Sequence, residues 1–390
     1  MNRRFYFVNN FPFYNFTIVG AGASGLWFAH ALLENGLLED NTLCIVESDQ
    51  AKENDRTWCY WASQALAPQA MVSKEWQWIR HGQEKKEIVT LAPYRYFHVR
   101  SADFYAQMKA TLKNCKSIEW KFKKVVDVSE GSHHAVIKTP NEVWLSERVF
   151  ISTWLTPPKQ HELFLWQSFV GWRVKTTQPV FDDNSMSMMD FDVAQSTATQ
   201  FMYELPYSKD EALVEMTRFG AEKLSTAEAE VSLREYMSKK GCAYEIMEVE
   251  TGAIPMTPQF DVTKKSQNAT DRIIFIGTPA GAIKPTTGFG FKRMYAHANA
   301  MAYALKNKTK LPTLHRNLRF RVYDILLLQI LKRHPDRGKE IFERLFSTQP
   351  IQRIFKFLDE ETKITEEIAI FARLPIGLFL RSLIVYMFKS

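Results

Sequence analysis

A glycine-rich turn with the spacing of a nucleotide site stands near the start of the chain. Its residues are Gly20-Ala21-Gly22-Ala23-Ser24-Gly25, which follow the apolar run 16–19 and open a helical stretch through Leu33. The next apolar run, 43–46, is followed by Glu47. In such a unit Gly20 permits the tight turn, Gly22 admits a pyrophosphate and Gly25 lets the helix pack on the strand. The helix N-terminus offers free N–H groups to the anion, and Glu47 is placed to accept from ribose hydroxyls. The pattern predicts a dinucleotide site; the alternative is a glycine-rich helix entry without a ligand.

The elements around this turn predict a cofactor domain assembled from separated segments. Short alternating runs between 117 and 219 are typical of a mixed sheet, and Ser225 begins a predicted helix that ends near Lys239. The apolar run 272–277 ends on a glycine and returns the chain to the first unit, and helical periodicity dominates from 313 onward. We therefore predict an α/β fold of three parts: a Rossmann-like nucleotide-binding domain at 1–85 and 265–310, a mixed-sheet substrate domain at 86–264, and a helical C-terminal region at 311–390.

Composition and charge limit the class of protein. The chain has 390 residues, 46% of them hydrophobic, which is typical of a globular protein with a sizeable core. Its net charge is +7, and the stretch 311–356 alone holds ten basic and four acidic residues. That stretch is either a solvated helical face or a surface that binds an anionic membrane or nucleic acid. Because the chain holds no nucleic-acid-binding motif, we expect no nucleic-acid partner.

Cysteines and apolar runs bear on the compartment. The four cysteines lack metal-ligand spacing, and the start of the chain has no signal peptide, so we expect a cytoplasmic protein with free thiols and no metal. The apolar end 374–388 contains Pro375 and Arg381, which makes it too short and interrupted for a membrane span. It is suited to lie in a membrane interface or to dock on the protein.

Several further motifs resemble, in order, those of the FAD-dependent lycopene β-cyclase family. The most specific are Asn-Asp-Arg-Thr-Trp-Cys-Tyr-Trp at 54–61 and Leu-Trp-Gln-Ser-Phe-Val-Gly-Trp at 165–172. Shorter matches stand at 188–191, 201–206, 213–217, 254–257, 277–281 and 284–289. Together they cover roughly residues 16 to 362.

The resemblance implies a flavoprotein-monooxygenase-like fold that holds FAD. On that basis the cofactor residues are Gly20, Gly22, Gly25 and Glu47 for the adenosine half, with Arg56, and Gly277, Gly281, Thr287 and Gly288 near the flavin and its ribityl chain. The implied reaction closes the ψ ends of lycopene and related linear carotenoids into β rings. It requires reduced FAD, with NAD(P)H as its electron source, yet involves no net redox change.

Such a reaction needs a strong acid, cation stabilisation and a base, all away from water. Glu215 is the predicted acid, because a carboxyl among apolar neighbours keeps its proton near neutral pH; the alternative is a partly exposed strand glutamate. Aromatic faces stabilise cations, so the predicted pocket comprises Trp58, Trp61, Trp172 and Tyr203. Core packing is the alternative for each tryptophan.

The chain departs from the family pattern at two places. Met216 stands where the family has a second acid, which leaves Glu215 alone, and 151–154 reads Ile-Ser-Thr-Trp in place of Asp-Ser-Arg-Pro. A second acidic cluster at 357–362 resembles another family motif, and we expect its acids to front a helix that starts near Thr362, with catalysis there as the alternative.

Two other classes of function share the nucleotide motif. One is a redox flavoprotein of similar fold, such as a monooxygenase or a polyprenyl or carotenoid reductase, and the other is a flavin-binding regulator without catalysis. The motifs at 54–61 and 165–172 favour the cyclase. The sequence leaves open whether one or both ends are cyclised, whether an ε ring is excluded, what the physiological reductant is, and the oligomeric state.

The apolar end and the basic stretch together predict peripheral attachment to a membrane, where a lipid-dissolved substrate is available. Because the basic residues contribute roughly 1 kcal/mol each at an anionic surface, salt should weaken this attachment.

Overall fold

The computed structural model describes residues 6–8, 10–50, 54, 56–81, 87–155, 162–195, 198–258, 271–314 and 316–389. The strands are β1 Tyr6–Val8, β2 Phe11–Val19, β3 Leu43–Glu47, β4 Thr57–Ala62, β5 Lys74–Trp76, β6 Trp78–His81, β7 Glu87–Thr90, β8 Arg95–Arg100, β9 Ile118–Phe122, β10 Asp127–Glu130, β11 Ala135–Lys138, β12 Val143–Ile151, β13 Leu165–Thr176, β14 Ser185–Asp190, β15 Thr199–Pro206, β16 Glu211–Gly220, β17 Tyr244–Met256 and β18 Ile273–Phe275. The helices are α1 Ala23–Glu34, α2 Ser101–Lys113, α3 Thr226–Ser238, α4 Phe291–Lys306, α5 Leu318–Arg333, α6 Gly338–Thr348, α7 Ile351–Leu358, α8 Ile364–Phe371 and α9 Ile376–Lys389.

The first sheet carries the glycine-rich turn. Its order is β10-β11-β12-β2-β3-β9, with β1 beside β2 and β18 beside β12. The pairings among β12, β2, β3, β9 and β18 are parallel. Helices α1, α2 and α4 contribute to the core on one face, where Ile18, Ile45 and Phe150 are fully buried. Parallel strands covered by helices are apolar throughout, which explains the runs 16–19 and 43–46.

The second sheet is mainly antiparallel, in the order β17-β13-β16-β15-β14-β6-β7. One face packs on α3, where Trp172 and Val214 join Leu233 in a buried cluster. The opposite face contains Glu215 and Tyr203 and lines a cavity. Successive side chains of a strand point to opposite faces, so one strand serves both the core and the cavity. Helix α3 begins at Ser225 with a capping box to Glu228, which confirms the predicted start.

A three-stranded sheet, β4-β8-β5, contains the tryptophan-rich motif. The C-terminal helices pack around it and against the second sheet. One buried cluster includes Leu345, Ile354 and Phe355 from the helices and Leu213 from β16, and a second cluster also joins the helices to the second sheet. The predicted helical C-terminal region is therefore confirmed between α5 and α9.

The chain changes sheet at positions other than the predicted boundary at 86. Strands β9 to β12, between 118 and 151, pair in the first sheet with β2 and β3, whereas β6 and β7, between 78 and 90, pair in the second. Alternating apolar residues specify which face of a strand is buried, but they do not specify which strand lies beside it. The predicted substrate span 86–264 therefore includes strands that support the nucleotide turn.

Candidate active site

The glycine turn between β2 and α1 has the geometry of a phosphate-binding turn. Gly20 has φ +97°, and its N–H donates to Val46 O at 2.8 Å. A Cβ at Gly25 would lie 2.0 Å from Gly20 O, so the helix can approach the strand only because Gly25 has no side chain. Gly22 is the N-cap of α1, and no side chain among the described residues caps this helix. Its first N–H groups therefore remain available to an anion.

Glu47 holds this turn in place. Its Oε2 accepts from the Ala21 N–H at 2.8 Å and its Oε1 accepts from the Ser48 N–H at 2.8 Å. The acid lies directly beside the glycines, although it does not line the cavity that Gly22 and Glu215 share. A role in binding ribose stays a prediction.

The second glycine-rich loop folds back against the first. Gly277 has φ +65°, and a Cβ there would lie 2.8 Å from Ser24 Cβ. Gly281 also has a positive φ and ends a short 3-10 turn. Gly288 has φ +73° and a Cβ would lie 2.9 Å from Ile254 Cδ1, so this loop packs closely on β17.

One cavity of about 360 Å³, which we call the main cavity of this site, joins these loops to the second sheet. Its wall includes Gly22 and Ser24 at the start of α1 as well as Glu215 on β16. The predicted cofactor and pocket residues on its wall are Gly22, Arg56, Trp58, Tyr203, Thr287 and Gly288. The uncapped helix and the glycines that admit a close approach fit the pyrophosphate of FAD where the cavity meets the start of α1.

Glu215 extends from the middle of β16 into this cavity. Leu213 shares its face of the strand and also lines the cavity, whereas Val214 and Met216 lie in the core on the opposite face. Burial raises the pKa of the Glu215 carboxyl well above its usual range, and the nearby carboxyl of Glu250 raises that pKa further. Glu215 therefore keeps its proton to a higher pH than an exposed glutamate does, in a largely apolar wall.

Glu250 is a second carboxyl that the sequence analysis missed. Gly171 on β13 lies opposite Glu215 of β16 on one side and opposite Glu250 of β17 on the other. Burial also raises the pKa of Glu250, although the hydroxyl of Thr57, which donates to its Oε2 at 2.7 Å, lowers it. The signal that could have identified it is a period-two pair of acids, Glu248 and Glu250, on the strand that continues into the motif at 254–257.

Met216 does not remove an acid from the cavity of this protein. It packs with Val170 and Trp172 on the side of the sheet covered by α3. An acid at that position would point into the apolar core, because its parity on the strand is opposite to that of Glu215. In the segment 151–154, where the chain also departs from the family pattern, Ser152 lines the cavity and its hydroxyl donates to Gly20 O at 2.8 Å.

The four predicted aromatic residues have different surroundings. Trp58 lines the main cavity and stacks on Phe291 with ring centroids 5.0 Å apart, and Tyr203 lines the same cavity. Trp61 lines a second cavity of about 460 Å³, which shares Cys59 and Phe289 to Phe291 with the first. Trp172 is buried among core side chains beneath α3, so its assignment to the substrate pocket was wrong. On β13, Gln167 and Phe169 face the cavity, and Trp172 has the opposite parity.

The acidic cluster at 357–362 follows the end of α7 rather than capping α8. Asp359 accepts hydrogen bonds from Trp61 Nε1 at 2.8 Å and from Lys292 Nζ at 2.6 Å. Glu360 forms ion pairs with Arg316 and Lys284. Helix α8 starts at Ile364, close to the predicted position. The acid at its start is Glu366, whose Oε2 accepts from the Lys363 N–H at 2.9 Å. The expectation that the cluster fronts this helix was therefore wrong: Glu360 pairs with the buried Arg316 and Lys284, and Asp359 pairs with the partly exposed Lys292.

The arrangement of sheets, glycine loops and cavity defines a flavoprotein-monooxygenase-like fold. Three solved structures share it over most of their length. The chain resembles a geranylgeranyl bacteriochlorophyll reductase-like protein from Thermoplasma acidophilum (TM-score 0.56, 12% identity, 95% of this chain and 96% of that one). It also resembles a flavoprotein/dehydrogenase from Cytophaga hutchinsonii (TM-score 0.56, 10% identity, 97% of this chain and 100% of that one). A single-substitution variant of HpxO from Klebsiella pneumoniae, complexed with FAD, is similar as well (TM-score 0.55, 13% identity, 93% of this chain and 100% of that one).

Within this class, the chain belongs to the lycopene cyclase family. A family model described as "Lycopene cyclase protein" matches residues 15–383. A lycopene beta-cyclase of Pseudescherichia vulneris is 32% identical over 139 residues, which are 35% of this chain and 36% of that relative. The match therefore spans about a third of the relative's length.

Among the described residues no single helix has the length and apolarity of a membrane span. The consecutive helices 364–371 and 376–388 pass that test only when taken together, and they are bent by 115° relative to each other.

Proposed function

We propose that the protein is a lycopene cyclase, an intramolecular lyase of the isomerase class that closes the ψ ends of lycopene into β rings to give γ-carotene and β-carotene. The observation that supports this proposal is a cavity lined both by the uncapped start of α1 and by the carboxyl of Glu215, whose pKa is raised by burial. Because the chain belongs to the lycopene cyclase family, we propose linear carotenoids as its substrate class.

Glu215 supplies the proton that starts the reaction. Its O–H bond breaks as a C–H bond forms at the terminal double bond of the ψ end, which leaves a tertiary cation. The neighbouring double bond attacks that cation and closes the ring. Loss of a proton from the ring carbon then forms the ring double bond, and its return to the carboxylate restores the acid. Substrate and product therefore have the same formula.

The cavity wall suits a polyene and its cation. A hydrocarbon accepts no ordinary hydrogen bond, so Phe169, Leu213 and Ile254 would bind it by apolar burial, roughly 25 cal/mol per Å². Trp58 and Tyr203 line the same cavity, and an aromatic face presented to a cation there would stabilise it by about 2 kcal/mol when water is excluded.

The residues of both glycine loops would hold FAD at the end of the cavity near α1. Gly22 and the first N–H groups of α1 would receive the pyrophosphate, and Thr287 and Gly288 would approach the flavin side. When bound in its reduced form, with NAD(P)H as electron source, FAD would supply negative charge that favours a nearby cation.

We also propose peripheral attachment to a membrane, with the remainder of the protein in the cytoplasm. The last two helices expose large apolar side chains, namely Ile364, Ile368, Ile376, Leu380, Ile384, Met387 and Phe388. The basic stretch contributes less than its composition indicates, because Arg316 and Arg319 are paired with Glu360 and Glu367. Apolar burial in the lipid interface is therefore the main contribution.

Anaerobic incubation tests the proposed activity. Purified protein, FAD reduced chemically and lycopene in lipid vesicles are combined, and the carotenoids are separated by chromatography and weighed by mass spectrometry. We expect cyclic products of unchanged mass that require reduced FAD. Absence of a cyclic product under these conditions would reject the proposal.

A redox flavoprotein is the second candidate, because the solved structures of similar fold include a reductase-like protein. The same incubation separates the two activities. A reductase or monooxygenase consumes the reduced cofactor in proportion to product and changes the product's mass, whereas a cyclase does neither.

A further inference from the structure

Glu215 and Glu250 belong to strands that are not neighbours, yet the carboxyl of Glu250 is near enough to raise the pKa of Glu215. Strand β13 lies between them, and Gly171 is paired with both glutamates. A Cβ at Gly171 would lie 3.0 Å from Glu250 Cγ and 3.0 Å from Leu213 Cδ1. Because Gly171 has no side chain, the two carboxyls can approach each other across the middle strand.

The hydrogen bonds around the pair leave one buried oxygen of Glu250 without a donor among the described residues. Thr217 Oγ1 donates to Glu215 Oε1 at 3.1 Å, and Thr57 Oγ1 donates to Glu250 Oε2 at 2.7 Å. Glu250 Oε1 is buried and receives no donor among the described residues. Two ionised carboxylates are acceptors only, so a hydrogen bond between them requires one proton. A proton on Glu215 that donates to Glu250 would satisfy this oxygen.

The directions of the pKa shifts agree with this placement of the proton. Burial raises the pKa of Glu215, and the charge of Glu250 and the hydrogen bond to it add to that rise. Burial also raises the pKa of Glu250, but its hydrogen bonds with Thr57 and Glu215 lower it. The hydrogen bond from Thr57 to Glu250, at 2.7 Å, is shorter than that from Thr217 to Glu215, at 3.1 Å, which favours Glu250 as the partner that carries the negative charge when the pair holds one proton.

We propose that Glu215 and Glu250 share a single proton, and that Glu250, held by Thr57, is the positioning residue that keeps the Glu215 carboxyl protonated and fixes the oxygen from which its proton leaves. This inference rests on the proposed cyclase function for its catalytic meaning, but the shared proton is a property of the protein without substrate. Glu250 is absent from the wall of the main cavity, so it acts through Glu215. Transfer moves one proton from Glu215 to the substrate carbon, and the return of the ring proton restores the pair.

Other groups facing the pair do not titrate with it. The side chains with raised pKa near Glu215 and Glu250 are Cys59, Tyr96, Tyr203 and Tyr207, and burial is the main cause at each. Burial lowers the pKa of His98, which contacts Tyr207, to about 3, and Arg100 and Arg173 lower it further. On the far side of Glu250 both arginines pair with Glu248. None of the four raised groups nor His98 changes charge near neutral pH.

Replacement of Glu250 tests the proposal through the pH dependence of activity. In Glu250→Gln the amide retains a hydrogen-bond acceptor but removes the negative charge beside Glu215. We expect the alkaline limb of the pH–rate profile to move to lower pH by about one unit or more, with activity largely kept on the acid side. Glu250→Asp should return the limb toward the wild-type position. The matched control is Glu245→Gln, an exposed glutamate of the same strand, which should leave the profile unchanged.

Infrared titration of the FAD-bound protein without substrate provides a measurement that does not depend on turnover. Wild type should show the carbonyl band of a buried protonated carboxyl at neutral pH. Glu215→Gln should lack that band, and Glu250→Gln should lose it at a lower pH than wild type. A band that titrates identically in wild type and Glu250→Gln would overturn the inference, as would an unshifted activity profile in that variant. If wild type forms no cyclic product, the proposed function fails while the infrared titration still decides the shared proton.

Discussion

Trp61 Nε1 donates a 2.8 Å hydrogen bond to Asp359 Oδ2, across 298 positions of the chain. The indole ring also stacks on Phe355 of α7, with centroids 4.5 Å apart and planes 7° from parallel. Two motifs that are distant in sequence, 54–61 and 357–362, therefore form one contact. Through it the C-terminal helices dock on the three-stranded sheet.

Trp61→Phe should weaken this docking. Phenylalanine keeps part of the stacking on Phe355 but removes the donor to an ionised carboxylate, an interaction worth about 1.5–3 kcal/mol. We expect the free energy of unfolding to fall by about this amount in urea titrations, and hydrogen exchange in 351–358 to accelerate. Phe122→Leu, at an exposed ring elsewhere, is the control. Unchanged exchange in α7 would show that the contact does not hold the helix.

Gly22→Val should abolish FAD binding, because a branched side chain at the N-cap of α1 would occupy the position expected for the pyrophosphate. We expect no bound flavin absorbance in the purified variant and a thermal midpoint that no longer rises when FAD is added. Gly377→Ala, with no neighbouring atom within 4 Å of its new Cβ, should bind FAD normally. Full flavin content in Gly22→Val would contradict the assignment of this turn. The absence of His and Cys from both glycine-rich segments predicts that the bound flavin is non-covalent.

Glu215→Gln should lower cyclisation by at least about 10²-fold, because the amide cannot deliver a proton. FAD content should stay near normal, since Glu215 lies on β16 of the second sheet, whereas the glycine turn follows β2 of the first. Glu215→Asp should retain a fraction of the activity, with its shorter arm misplacing the proton. The comparison is Glu361→Gln, a change in the acidic cluster at an exposed residue, which should stay close to wild type. The reverse order of these two variants would mean that the wrong carboxylate was chosen.

Asp324→Asn should destabilise the protein and reduce its sensitivity to acid. Asp324 is buried, pairs with Arg316 and Lys284, and accepts from Thr286 Oγ1 at 2.7 Å. Burial alone would raise its pKa, but these two cations and the hydroxyl hold the pKa below its usual value. Breaking such a buried pair costs about 3–5 kcal/mol.

The sign of the acid effect follows from that lowered pKa. Below about pH 4 the unfolded chain takes up a proton at this carboxyl before the folded protein does. The contribution to stability is therefore present above that pH and is lost as the pH falls through the folded-state pKa. We expect the unfolding free energy of wild type to drop more steeply below about pH 4 than that of Asp324→Asn. Glu340→Gln, in a surface pair with Arg344, should change stability by less than about 1 kcal/mol.

Leu380→Ser combined with Ile384→Ser should weaken binding to lipid vesicles. Both side chains are about half exposed on α9, and each apolar side chain transferred to lipid contributes about 1.5–3 kcal/mol. Vesicle flotation is the measurement, and Val231→Ser, which is 68% exposed on α3, is the control. Salt should reduce wild-type binding only in part. Equal flotation of the double variant and wild type would locate the membrane contact elsewhere.

The glycine turn and its flanking elements could be predicted from the sequence because the residues that determine them are contiguous. The turn from Gly20 to Gly25, its flanking strands and Glu47 lie within one strand–helix–strand unit, whose geometry depends on local backbone requirements. Glu215 could likewise be selected by its motif and its apolar neighbours. The helical character of the C-terminal region followed from its periodicity, as did the start of α3 at Ser225.

The tertiary structure decided which side chains meet, because strand partners and sheet faces are set by long-range pairing. Trp172 and Gln167 share a motif, yet they point to opposite faces, and the motif alone does not say which face is the cavity. The strands between 118 and 151 joined the first sheet for the same reason. Glu250 reaches Glu215 only because β13 brings Gly171 between them, a relationship that no local pattern in either strand contains.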